Sequence, residues 1–262
     1  MKINPIQFNL VQHKPQKTVS SPLRINNSVQ ADTVSFTGKA EKKISKEKMG
    51  KLVPKHKGII YRKLQDAEGA VVKVPVLVDI VKSESEEFQF VVDGEEIGYA
   101  RLSYIPKKYC KDEIKDAYVD CYYKNYEDLG ITGDRIKVNY IKNENEEKYS
   151  GIGHLADLLE VACCQKLGFK PNVISSSVND AAPIHYLRGK RFVPYEEYCD
   201  EAEMKGYDLY GKNPNDTMEE IIENASSGYE FDTSEIQNEP LMYMPEEMMA
   251  ELEEELKEHP IF

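Results

Sequence analysis

The chain has 262 residues, 40% of them hydrophobic and 31% charged, with a formal net charge of −12. That supplies a core for one ordinary domain with extensions, and no apolar run approaches the roughly 20 residues of a membrane-spanning helix. So acidic a chain is a poor match for nucleic acid as its main partner. With an N-terminus lacking the apolar stretch of a secretory signal, the reading is a soluble, cytoplasmic protein.

The charge is unevenly spread. Residues 1–57 hold twelve Lys/Arg against three acids, whereas from Glu196 onward 21 acids face three lysines. Composition therefore predicts three parts: a polar, basic, disordered leader over 1–57, a domain over 58–194, and an acidic, partly helical extension over 195–262. The five cysteines, Cys110, Cys121, Cys163, Cys164 and Cys199, include no CxxC pair. They read as buried thiols rather than a zinc site or disulfide framework, and no metal is expected.

Taken in order, residues 59–61 and 71–81 are β-rich, with Val74, Val76 and Val78 alternating along the second run. Two further β-runs, 87–92 and 97–104, bracket Asp93-Gly94, which predicts a hairpin. Ile114, Tyr118, Cys121, Tyr122 and Tyr126 recur at helical spacing over 111–126, and Leu129-Gly130 reads as the stop. Residues 135–142 read as a strand, followed by a charged loop over 143–147. Ser150 is the expected N-cap of a helix whose apolar stripe is Ile152, Leu155, Leu159, Ala162 and Cys163, ending at Gly168. A short strand over 172–178 and a helical turn over 181–189 follow, and then Arg191-Phe192-Val193. Beyond Pro194, helices are expected over 216–224 and 245–259. The latter carries Met248, Met249, Leu252 and Leu256 as a narrow seam on an acidic body. Such a seam docks on its own domain or binds a partner.

Between the strand at 135–142 and the helix lies Lys148-Tyr149-Ser150-Gly151-Ile152-Gly153. Strand, glycine loop and helix in that order let backbone N–H groups at a helix start hold a phosphate, although glycines serving only a tight turn look the same. The stretch lacks Gly-Lys-Ser/Thr and is not a P-loop. His154 and His185 have no Ser/Cys and acid partners at a triad spacing. The upstream hairpin argues against a Rossmann site.

Two segments in this order resemble the GNAT superfamily of acyl-CoA-dependent N-acyltransferases. Residues 148–153 look like the family's Gln/Arg-x-x-Gly-x-Gly/Ala. Asn179-Asp180-Ala181-Ala182-Pro183-Ile184-His185-Tyr186, followed by Gly189 and Phe192, looks like its Asn-x-x-Ala-x-x-x-Tyr segment. The resemblance covers about residues 134–193 and extends less closely to the hairpin. It implies a mixed α/β fold with a mostly antiparallel, splayed sheet and flanking helices. It further implies that backbone N–H groups of Tyr149, Ser150, Gly151, Ile152, Gly153 and His154 wrap the pyrophosphate of acetyl-CoA or another acyl-CoA, with Lys148 as a nearby cation. Pantetheine would lie between the strand ending near Ile141 and the strand at Val173, also bonded by Asn179, and Tyr186 would protonate the departing thiolate. The acceptor would be an amine on a small molecule, protein or peptide.

Here the chain departs from the family pattern. Lys148 replaces Gln/Arg, the two helices between the family's first strands are missing, and residues 105–133 stand where a short turn is usual. No acid lies mid-strand, where Asn139 and Tyr140 sit, so Glu87 and Glu147 are the acids left to act as base through water. Plainer readings stand beside these roles: Tyr186 as a core aromatic, Lys148 as a solvated lysine, Asn179 as a turn residue. A GNAT-like binding or assembly module without catalysis is the alternative, and an acidic tail occupying the acceptor groove is a third.

Overall fold

The computed structural model describes residues 39–107, 133–176, 181–192, 214–225 and 241–262. The helix expected over 111–126, Asn179 and Asp180 lie outside these residues.

Alternating sequence makes the first half of the chain antiparallel sheet. β1 (Gly58–Gln65) pairs with β2 (Val71–Lys82), Gly58 opposite Val78 and Gln65 opposite Val71. Their turn is closed by Asp66, whose carboxylate accepts the N–H groups of Glu68 and Ala70 at 2.9 and 2.8 Å. β3 (Glu87–Val92) turns Phe88, Phe90 and Val92 inward. It joins β4 (Glu95–Ile105) through Asp93 and Gly94, whose φ values of 54° and 85° are the positive pair a two-residue hairpin turn needs. The hairpin expected at Asp-Gly is present. β5 (Arg135–Asn143) pairs with β4, but Arg101 faces Tyr140 while Leu102 faces Val138. Asn139 is therefore a bulge residue that the ladder register skips, with its side-chain amide donating to Ser103 Oγ of β4 at 2.6 Å.

Two residues, β6 (Tyr149–Ser150), return to pair with β1, giving the order β5-β4-β3-β2-β1-β6. The sheet nearly closes on itself: the Asn143 side chain, at the end of β5, donates to the Tyr149 carbonyl at 3.1 Å. α2 (Ile152–Leu167) fills it. Every residue from Leu155 to Cys164 is buried, as befits a helix inside a fold rather than on its surface. It stops where the sequence places the cap. Gly168 adopts φ 76°, and the Phe169 N–H reaches back to the Cys164 carbonyl at 2.8 Å.

β7 (Ile174–Ser176), β8 (Arg191–Phe192) and β9 (Leu241–Tyr243) form a second antiparallel sheet ordered β7-β9-β8. With α3 (Ala182–Leu187) and α4 (Pro214–Asn224) it surrounds a smaller core of Ala182, Tyr186, Phe192, Met218 and Met242. α5 (Glu246–Glu258) follows. The whole is mixed α/β, with a mostly antiparallel six-stranded sheet and five helices among the described residues. None of those helices is long and apolar enough to cross a membrane.

The boundaries drawn from composition fall inside this fold. α1 (Lys39–Gly50) lies within the expected leader, yet Met49 and the following Leu52 enter the main core. Ser45 hydrogen-bonds Glu86 and accepts the Tyr104 N–H at 3.0 Å. At the other end, β9 completes the second sheet, while Leu252, Leu256 and Ile261 join the main core. The N–H groups of Lys55 and His56 donate to the Ile261 carbonyl at 2.9 and 3.2 Å. The helix expected over 245–259 is present as α5, whereas α1 went unread; both bury one narrow stripe under a strongly charged exterior. The seam of α5 is covered by its own chain, with Met248 and Met249 packed against the same core.

Candidate functional site

The glycine turn is built by hydrogen bonds that the sequence alone did not reveal. The Asn145 carbonyl accepts the N–H groups of Lys148 and Tyr149 at 3.1 and 2.9 Å, and the Lys63 N–H donates to the Lys148 carbonyl at 2.8 Å. Tyr149 then lies opposite Arg62, and Ser150 opposite Tyr61. Ser150 is thus a strand residue and not the helix cap. The cap is Gly151, at φ 95° and ψ −4°, a conformation that costs a side-chain-bearing residue about 1–2 kcal/mol.

Helical bonding starts with the Leu155 N–H donating to the Gly151 carbonyl at 2.9 Å, and no side chain caps the first turn. The N–H groups of Ile152, Gly153 and His154 are consequently the orphan donors that every helix start leaves. Beside them the Ser150 hydroxyl oxygen is buried without a hydrogen-bond partner among the described residues. Of the donors expected from Tyr149 to His154, the N–H of Tyr149 is spent within the turn.

A second glycine has a different reason. A Cβ on Gly153 would stand 2.5 Å from Arg188 Nη1. Arg188, in the turn after α3, donates through Nη2 to the Gly153 carbonyl at 2.5 Å and to Asp157 Oδ2. Lys190 Nζ lies 3.2 Å from the other Asp157 oxygen, at salt-bridge distance but without hydrogen-bond alignment. Both Asp157 and Lys190 are almost wholly buried. Burial would raise the Asp157 carboxyl, but the cations of Arg188 and Lys190 outweigh it and hold the group below its ordinary range. His185, with Nδ1 3.3 Å from Arg188 Nη1, is pushed down to about 3 by burial first and then by Lys190 and Arg188.

The other expected residues are placed as follows. Lys148 Nζ sits 3.6 Å from Glu95 and 5.2 Å from the centre of the buried Tyr149 ring. Arg62 covers that ring at 5.5 Å and pairs with Asp93 at 2.7 Å. His154 Nε2 is 2.9 Å from Glu255 of α5. Ile141, on β5, lies opposite Ala100 of β4. Tyr186 belongs to the smaller core. Its hydroxyl donates to Glu219 at 2.8 Å, and the Arg191 guanidinium lies 4.2 Å over its ring. Burial, then the Glu219 bond, pushes its phenol up to about 12. Glu87 accepts from Arg101 and Ser83 at 2.7 and 2.8 Å; chiefly the Arg101 bond holds its carboxyl low, which makes it a weak base. Glu147 is exposed.

The turn at 148–154 thus meets Asp157 and the 185–190 segment, a cluster missed in the sequence. Its one signal was an acid at position 157 between Leu155 and Leu158, where an apolar neighbourhood demands a buried cation.

One further relationship matters chemically. β5 ends one sheet and β7 ends the other; the two strands touch, yet they share no ladder among the described residues. The buried Cys164 of α2 lies against the backbone of Ile136 and Asn172, near the starts of both arms. One helix joins these two edge strands, and among the described residues neither is laddered to the other. Comparison with family models, with curated proteins and with solved structures returned no match.

Proposed function

We propose that the protein is a GNAT-like N-acyltransferase, moving an acetyl or other acyl group from acyl-CoA directly to a primary amine. The observation that carries this reading is that β5 and β7, linked through a glycine turn and α2, are both edge strands among the described residues and touch without sharing a ladder. A slot between two open edges suits an extended arm bearing amide groups, which bonds as an additional strand would. At the start of α2 the orphan N–H groups of Ile152, Gly153 and His154 suit a pyrophosphate, and the Ser150 hydroxyl, without a partner among the described residues, offers one more donor.

In the transfer, the amine nitrogen forms a bond to the acyl carbon while the carbon–sulfur bond breaks. The amine gives up a proton and the thiolate gains one. Tyr186 is the candidate proton donor to sulfur. Its hydroxyl must leave Glu219 to serve.

That Glu219 bond favours the second reading, a module of the same architecture that binds without transferring. Titrating the full chain with acetyl-CoA tests the first half of the proposal, because a ligand of the folded state must raise the melting temperature. A concentration-dependent rise, followed by release of free thiol when amines are supplied, is the expected result. A rise without thiol release across small amines and lysine peptides points to the binding module. No rise at millimolar acetyl-CoA sinks the acyl-CoA reading.

A further inference from the structure

We infer that Arg188, gripped by Asp157, is the positioning residue of the anion-binding turn, so that the 185–190 segment sets the geometry of the first turn of α2. For its ligand the inference rests on the acyl-CoA reading; for its geometry it does not.

One guanidinium nitrogen of Arg188 reaches both the Gly153 carbonyl and the Asp157 carboxylate, groups one helical turn apart on α2. The Gly153 carbonyl belongs to the same peptide unit as the His154 N–H, one of the three orphan donors. A cation on that oxygen polarises the unit and makes the N–H a stronger donor. It also fixes the unit's tilt. A guanidinium beside a helix N-terminus is electrostatically out of place unless something negative joins it, and Asp157 supplies part of that charge. The second glycine of the motif follows from the same contact, since any side chain at 153 takes the space of Arg188. Lysine does not reproduce this: the guanidinium plane fixes the directions of Nη2 toward the two oxygens and of Nη1 toward His185 Nδ1 at 3.3 Å, a fork that a freely rotating ammonium lacks.

Arg188→Lys, made in the full chain, keeps the charge for Asp157 and removes the fork. Hydrogen exchange at the amides of Leu155, Ala156 and Asp157 is expected to quicken, while amides of β3 keep wild-type rates. CoA affinity is expected to fall on the order of tenfold, the worth of one hydrogen bond to a charged group. Pantetheine, which has no pyrophosphate, should bind unchanged. Asp157→Asn, which frees Arg188, should quicken the same amides. Unaltered exchange at all three amides in both variants overturns the inference, as does unaltered CoA affinity in Arg188→Lys where the wild type binds CoA. If the wild type binds no CoA, the acyl-CoA reading fails, and exchange alone decides the clamp: faster supports it, unchanged overturns it.

Discussion

Arg188 and Gly153 share one space: the guanidinium nitrogen lies 2.5 Å from where residue 153 would carry a Cβ. The far end of an arginine usually swings aside for a methyl group. This one is held by the Gly153 carbonyl and a buried carboxylate, so displacing it breaks both contacts. Gly153→Ala is therefore expected to destabilise the fold by about 1–3 kcal/mol, read as a lower urea midpoint. In an Arg188→Ala background the same change should cost less, because the clash is gone. Equal cost in both backgrounds would show that the two residues do not compete for that space.

The sheet, α2 and its Gly168 cap were legible because local chemistry specifies them. Asp93-Gly94 dictates a tight hairpin, and an apolar stripe ending at glycine dictates a helix with a stop. The clamp was not legible. Asp157 and Arg188 are separated by 31 residues, and ion pairs at such range leave no periodic trace. β6 is two residues long, too short for any alternation to register, so Ser150 read as a cap when it is a strand residue. α1 buries Ser45 and Met49 beneath a lysine-rich exterior, which reads as a solvated arm. At the acidic end the helix was legible, but β9, three residues long, and the entry of Leu252, Leu256 and Ile261 into the main core were not.

That use of the C-terminal residues has a measurable consequence. Leu256 is buried in the main core, beside Leu252 and Ile261. Leu256→Ala is expected to cost about 2–5 kcal/mol, as for other buried leucines, in chemical denaturation of the full chain. Truncation after Pro194, which removes β9 and α5 together, should leave a chain without cooperative unfolding. A truncated protein that melts like the wild type would mean that this end is an appendage after all.

Stability should also depend on pH through His185. Its folded-state value of about 3 lies well below the ordinary 6.5, so the unfolded chain binds the proton first as pH falls. Stability is then full above about 6.5 and is lost progressively towards 3. Between pH 7 and pH 5 the loss from this group alone is on the order of 1–2 kcal/mol. His185→Gln should flatten that part of the profile, whatever its effect at pH 7. A wild-type denaturation midpoint that stays level from pH 7 to pH 5 contradicts a half-buried, neutral His185. Asp157, whose folded value is lowered, contributes in a more acidic window: its stabilisation is present above the ordinary carboxylate range and lost as pH falls through the folded value.

Tyr186→Phe separates the two functional readings because it removes a single oxygen atom from a packed position. The ring stays between Phe192 and Arg191, 6.3 and 4.2 Å away, and only the bond to Glu219 is lost. Stability should fall by about 1 kcal/mol, the usual worth of such a bond. If Tyr186 is the proton donor to the leaving thiolate, turnover falls about 10²-fold or more while acyl-CoA affinity is retained. A phenol raised to about 12 is protonated at any working pH, so the wild-type rate should show no alkaline limb from this group below pH 10. If transfer by the variant keeps the wild-type rate, Tyr186 is a core aromatic whose hydroxyl serves α4, and the donor to sulfur lies elsewhere.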